Sequence, residues 1–136
     1  MYCNLMNLDE IQKKINSKLD LLNYYYNRLS CSNKNVRFFY NDKIKEINYD
    51  LLDLRAQIIY CKNYNNNQTI DIHGANKYFV DYYLNDLLYY KLNFHQKVLL
   101  ICGKGSFVLF NSIKKFLNIE KIKYKIEGNN FVIQII

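Results

Sequence analysis

Proline and tryptophan are missing from this sequence, and only four glycines occur in 136 residues. With no proline to break a backbone ladder and little glycine to loosen one, long uninterrupted helices are favoured. No stretch approaches the roughly 20 apolar residues that a membrane span needs. The opening MYCNLMNLDEIQKK lacks the basic-then-apolar layout of a secretory signal. Cysteines are few and scattered (Cys3, Cys31, Cys61, Cys102), with no CxxC pair among them. They read as reduced thiols. These absences together lead to the expectation of a soluble intracellular protein with no membrane partner, cytoplasmic first and nuclear second.

Acidic residues are scarce in one part of the chain only. Residues 1–86 carry eleven Lys or Arg against ten Asp or Glu, whereas residues 87–136 carry eight Lys against Glu120 and Glu127. Six of the seven units of net positive charge therefore sit in residues 87–136. Such a surplus favours a polyanionic partner through counterion release, although lysine also serves simply to solubilise a surface. Half of the residues are hydrophobic, enough for a sizeable core, and the aromatic share is Tyr and Phe. Tyrosine carries a hydroxyl wherever it packs, so many of these rings belong at a wet boundary.

Residues 7–29 read as an amphipathic helix. Asn7 is placed to cap it, with Glu10 three positions on. Leu8, Ile11, Ile15, Leu19, Leu22, Tyr26 and Leu29 follow steps of three and four. A second stripe runs through Val36, Tyr40, Ile44, Ile47, Leu51, Leu54, Ile58 and Cys61. Two striped helices across the short turn at residues 30–33 predict an antiparallel hairpin. The polar run NYNNNQ at 63–68 then reads as a break and boundary, leaving 1–68 as a helical extension and 69–136 as a second domain.

Beyond 68 the pattern predicts a short strand at Thr69–His73 closed by Gly74, and a helix over 77–92. A buried strand KVLLIC follows at 97–102, then a helix over 106–117. An alternating strand at 122–127, a Gly128-Asn129-Asn130 turn and a last strand from Phe131 to Ile136 complete the pattern. The order β-α-β-α-β-β predicts a two-layer α+β domain, with helices on one face of a mixed four-stranded sheet.

Two clusters carry chemistry. In Asp71-Ile72-His73-Gly74, strand alternation puts Asp71 and His73 on one face. There the carboxylate can fix the imidazole tautomer and raise its basicity. On its own a D-x-H pair is weak evidence, because most strand-end histidines are ordinary surface groups. In Gly103-Lys104-Gly105-Ser106, two glycines between a strand and a helix allow close approach of an oxygen-rich group. Lys104 and the helix N-terminus supply positive charge there. A tight turn explains these glycines, but not the lysine between them.

The two clusters, in this order and with this intervening helix, resemble the signature of Smr (small MutS-related) domains. DIHG at 71–74 is similar to their D-x-H-G motif, and CGKGS at 102–106 to their G-[KR]-G turn after a hydrophobic strand. The resemblance covers 69–136, while the helical pair before it is similar in layout to the extension that precedes Smr in many eukaryotic members. It implies a fold like that of the C-terminal domain of translation initiation factor three. It also implies RNA binding or nuclease activity through Asp71, His73 and Lys104. The departures are Cys102 where bacterial relatives often have His, Phe107 after Ser106, and Lys rather than Arg in the turn, which removes bidentate phosphate contact.

Two functional expectations result. The first is a metal-independent endonuclease acting on mRNA or ribosome-associated RNA. In it His73, held by Asp71, deprotonates a ribose 2′-OH, while Lys104 and the N–H groups of Gly105 and Ser106 stabilise the phosphate. No cofactor is expected, and a metal site from Asp71, His73 and Cys102 lacks ligand spacing. The alternative is a non-catalytic factor that docks on RNA or the ribosome, with the helical hairpin available to a protein partner. Gly74, Gly103, Gly105 and Ser106 are candidate phosphate contacts. Lys121, Lys123 and Lys125 form an expected comb on one strand face, which equally suits an edge strand protected against sheet pairing. Of the groups Tyr24-Tyr25-Tyr26, Tyr82-Tyr83 and Tyr89-Tyr90, some rings suit base stacking and more suit packing. His95 reads as a solvent-exposed bystander.

Overall fold

A computed structural model of the chain describes residues 7–103 and 107–134. The chain divides into two compact units, Met1–Ile58 and Ile59–Ile136. The architecture is α+β.

In the first unit, α1 (Leu8–Ser30) starts where the side chain of Asn7 accepts the Glu10 N–H at 2.9 Å. Asp9 and Glu10 in its first turn and Arg28 in its last complement the helix dipole. Cys31 closes the helix through its N–H to Arg28 O, and α2 (Lys34–Asn63) sets out after Asn33. An ion pair between Lys18 and Asp50 at 2.8 Å, with Tyr25 and Tyr40 at a centroid distance of 6.0 Å, ties the helices as an antiparallel hairpin. Ile11, Ile15, Ile44, Ile47, Leu51 and Leu54 are buried on the expected stripes. Burial fades towards the turn, where Leu19, Tyr26 and Val36 of the same stripes are exposed.

The second unit begins inside α2. The last turn of that helix packs with the sheet unit, because the Tyr60 hydroxyl donates to Asp86 at 2.8 Å and Asn63 bonds to the first strand. The strands are β1 (Thr69–Asp71), β2 (Lys97–Ile101), β3 (Tyr124–Glu127) and β4 (Asn130–Gln134), in the sheet order β1-β2-β4-β3. β1 and β2 are parallel and the other two pairings antiparallel, so the sheet is mixed. The parallel crossover between β1 and β2 is continuously helical from Lys77 to Leu92. It comprises α3 (Lys77–Phe79), a π-helical turn (Val80–Leu84) and α4 (Asn85–Leu92), with Asn76 capping the start through the Phe79 N–H. α5 (Phe107–Ile119) connects β2 to β3.

The register aligns Ile70, Leu100 and Phe131 on one face, with Val98 and Ile133 beside them, and all five are buried. Phe110 of α5 stacks on Phe131 at 4.7 Å, and α5 also meets the π-helical turn, which places the helices on that face. Burying this set of branched and aromatic side chains is the main stabilising term for the unit, at ~25 cal/mol per Å² of apolar surface removed from water.

The structure adds to one sequence expectation and corrects two. Asn63 of the polar run closes α2, and residues 64–68 form a clamped loop between it and β1. Lys91, fully buried, donates from Nζ to Asn65 Oδ1 at 2.7 Å and to Asn67 O at 2.8 Å. His95 is no bystander, since it is half-buried and its Nε2–H donates to Asn66 O at 2.5 Å. The lysine comb does not exist as a strand feature. β3 starts at Tyr124, whereas Lys121 sits at φ 57 in the turn that ends α5, with the Ile122 N–H returning to Leu117 O. Helix closure with a left-handed residue took the positions that alternation assigned to the strand.

Candidate functional site at the carboxyl ends of the parallel strands

Asp71 ends β1, and its neighbour across the parallel ladder is Ile101, so Ile72 and His73 lie beside Cys102 and Gly103. The Ile72 N–H extends this ladder to Ile101 O at 2.9 Å. The chain then reverses in a turn closed by the Ala75 N–H to Ile72 O, with Gly74 at φ 79. Only glycine adopts that conformation at little cost. A crevice outside the carboxyl ends of parallel strands is where open α/β sheets commonly bind ligands.

Asp71 and His73 pair as expected, but His73 lies past the end of β1, in the turn, and not on a strand face beside Asp71. Their contact is Nδ1 to Oδ1 at 2.7 Å, and the His73 backbone N–H also donates to that oxygen at 3.2 Å. Desolvation works against the charged carboxylate, but the side-chain and backbone hydrogen bonds from His73, with its charge, outweigh it. The Asp71 carboxyl is held below its ordinary value. An ionised Asp71 accepts the Nδ1 proton and leaves Nε2 as the basic nitrogen. Both side chains face water, with 46% of Asp71 and 73% of His73 exposed, so Nε2 is accessible to a ligand.

The second cluster meets the first through Gly103. Its φ is 80, and a Cβ at this position would lie 2.8 Å from His73 Cβ. Glycine here is required twice over, by conformation and by contact. Gly74, by contrast, has nothing within 4 Å of a built Cβ and is required by conformation alone. Cys102 is buried, and burial pushes its thiol up to about 11. It is therefore a neutral packing group at neutral pH, unsuited to be a thiolate ligand or nucleophile. Among the described residues no three His, Cys, Asp or Glu side chains gather as a metal-ligand set. Lys104, Gly105 and Ser106 lie outside the described residues.

Sequence reasoning missed Asn63. Its side chain is buried at the end of α2 and pairs with the Asp71 backbone as a strand would. Nδ2 donates to Asp71 O at 2.9 Å, and Oδ1 accepts the Asp71 N–H at 2.8 Å. Nδ2 also reaches Ile59 O at 2.8 Å. Its place inside an Asn-rich run concealed this role, because composition describes the run and not the one residue that turns inward.

The basic residues are spread over the sheet. Lys97 and Lys125 fall on the same face as Asp71, opposite the helices, by the pairings Lys97 with Gln134 and Lys125 with Val132. β3 is the far edge of the sheet, about 14 Å from β1 at ~4.8 Å per strand. Beside it a cavity of about 660 Å³ is lined by Asn118, Lys123, Tyr124, Lys125 and Gln134, among others. Lys123 and Lys125 thus share a cavity apart from the Asp71–His73 pair, and Lys121 does not line it among the described residues. Of the tyrosine groups, Tyr83 is buried and Tyr90 stacks on Tyr64 at 4.2 Å, while Tyr82 and Tyr89 are exposed. No helix among the described residues is long and apolar enough to cross a membrane. Compared with family models, with curated proteins and with solved structures, the chain matches none.

Proposed function

We propose that the second unit is an Smr-like RNA-binding domain whose Asp71–His73 pair cleaves RNA without a metal. One observation carries this reading. A carboxylate oxygen 2.7 Å from Nδ1 holds an exposed imidazole with Nε2 free to act as base, at the carboxyl ends of parallel strands. His73 Nε2 takes the proton from a ribose 2′-OH, and the 2′ oxygen attacks the adjacent phosphorus. The P–O5′ bond breaks, leaving a 2′,3′-cyclic phosphate and a 5′ oxygen that is protonated from water. The proton held by His73 passes to solvent. Lys104, Gly105 and Ser106, directly after Gly103 in sequence, complete the site by resemblance to the G-[KR]-G turn. Lys97 and Lys125 on the Asp71 face extend the path for an RNA backbone. mRNA and ribosome-associated RNA are the substrates that the resemblance implies, and the cytoplasm the place of action.

A second reading is favoured by the exposure of the pair. Catalytic electrostatics gain from a water-excluded site, and 73% exposure of His73 is the opposite. A factor that binds RNA or the ribosome through the same surface needs no such exclusion.

End-labelled single-stranded RNA incubated in EDTA with the wild-type chain and with His73→Ala separates the two. Cleavage by wild type alone, ending in a cyclic phosphate and blocked by 2′-deoxyribose at the scissile position, supports the nuclease. Equal binding by both proteins with no cleavage supports the binding factor. Cleavage at the deoxy position sinks the 2′-OH mechanism.

A further inference from the structure

The near-neutral charge of the N-terminal part conceals a sharp polarity along the hairpin. Residues 24–45, which span its turn, hold Arg28, Lys34, Arg37, Lys43 and Lys45 against Asp42 alone. Before them, Lys13, Lys14 and Lys18 are balanced by Asp9, Glu10 and Asp20, and after them Arg55 faces Glu46, Asp50 and Asp53. The first unit is therefore basic at its tip and neutral to acidic elsewhere.

The same tip is where aromatic side chains stand in water. Phe38 is 75% exposed and Phe39 53%, with Tyr24 and Tyr26 close to half exposed. Tyr24, Tyr25, Tyr40 and Phe39 form a connected ring cluster across the two helices, with successive centroids 5.3, 6.0 and 5.4 Å apart. Cations already sit over its outer rings, with Arg28 5.2 Å from the centre of Tyr24 and Lys43 5.6 Å from that of Phe39. Around them the turn exposes the uncharged hydrogen-bonding groups Asn27, Ser30, Asn33 and Asn35, together with Cys31 and Val36.

We propose that the hairpin tip is a contact surface for single-stranded nucleic acid, separate from the Asp71–His73 pair. Unpaired bases stack on Phe38, Phe39 and Tyr24, and phosphates meet Arg28, Lys34 and Arg37. Interleaved rings and cations are what a sequence-tolerant single-strand surface requires, since every base offers a π-face and every nucleotide a charge. Charge complementarity selects this occupant over an acid-free apolar partner. The mix of neighbouring Phe38 and Phe39, which a helix points about 100° apart, selects it over a bilayer, where one apolar face must lie flat. The proposal stands without the nuclease reading.

The test is fluorescence anisotropy of the full chain with labelled oligouridylate and oligodeoxythymidylate of about 12 nucleotides. It compares wild type, Phe38→Ala/Phe39→Ala, Lys34→Glu/Arg37→Glu and His73→Ala. All the substituted tip residues are exposed, so the fold is preserved, as circular dichroism checks. Either tip variant is expected to weaken binding about tenfold. The charge variant should also flatten the salt dependence by about one to two units of log–log slope. Equal losses on both oligonucleotides support a surface for single strands in general, and a loss on oligouridylate alone narrows it to RNA. Wild-type affinity in both tip variants overturns the proposal. So does Phe38- and Phe39-dependent sedimentation with phosphatidylserine vesicles that leaves oligonucleotide binding unchanged. Absence of cleavage in the EDTA assay, with the tip effects intact, removes the nuclease reading and leaves this one standing.

Discussion

Asn63 and Asp71 are joined by two reciprocal hydrogen bonds, Nδ2 to the Asp71 carbonyl and the Asp71 N–H to Oδ1. The amide of a helix-end side chain thus substitutes for a neighbouring strand on the outer edge of β1. This satisfies a sheet edge that would otherwise present bare donors and acceptors. It also fixes the backbone from which the Asp71 carboxylate reaches His73.

Replacing Asn63 should therefore disturb both stability and site. Asn63→Leu keeps the volume but leaves the Asp71 N–H and C=O without this partner, at a cost of about 1–3 kcal/mol. Urea denaturation measures that loss. A midpoint equal to wild type would show that water replaces the amide without penalty.

The two glycines of the site should respond differently to alanine. Gly103→Ala adds a Cβ 2.8 Å from that of His73 in a left-handed conformation, whereas Gly74→Ala meets only the conformational penalty. Gly74→Ala is expected to cost about 1–2 kcal/mol, and Gly103→Ala more. Only the latter should move the His73 ring resonances in a ¹H–¹³C spectrum. Equal shifts from the two variants would contradict the close approach.

Lys91 governs stability at the alkaline end. Desolvation lowers its pKa from the ordinary 10.5, so the unfolded chain holds this proton more tightly than the folded one. Stability attributable to Lys91 must then rise with pH across the window between the lowered folded value and 10.5. Lys91→Met removes that slope and leaves Asn65 Oδ1 without its donor. Wild type should gain on this variant as pH increases towards 10.5, read as the difference between their urea midpoints.

Asp71 acts at the acidic end, with a slope of the same sign. Its folded pKa is lowered, so the stability it contributes is fully present above 3.8 and is lost as pH falls through the folded value. Asp71→Asn should match the wild-type fall in stability above that window and flatten it within. Acid titration by circular dichroism of both proteins checks this, and parallel curves below 3.8 would contradict the shift.

Much of this molecule could be read along the chain. The caps and stripes located α1 and α2 because helix periodicity and the Asn7 cap are local. The succession of strands and helices followed from apolar runs and turns, and the nearness of Asp71 and His73 from the single residue between them, although a turn and not strand alternation brings them together. Lys121 escaped the same logic because alternation alone does not say where a helix stops, and the closing turn of α5 claimed it.

What the sequence by itself determined is the set of elements, their polarity and the pairing of Asp71 with His73, all consequences of spacings of a few residues. Only the tertiary structure decided that Asn63 would clasp Asp71, that Lys91 would hold the loop at Asn65 and Asn67, and that Gly103 would lie against His73. The physical reason is separation. These contacts join positions 8 to 30 residues apart, and no local pattern marks the residue at the far end. They form because buried polar groups must find partners and close backbone approach excludes a side chain.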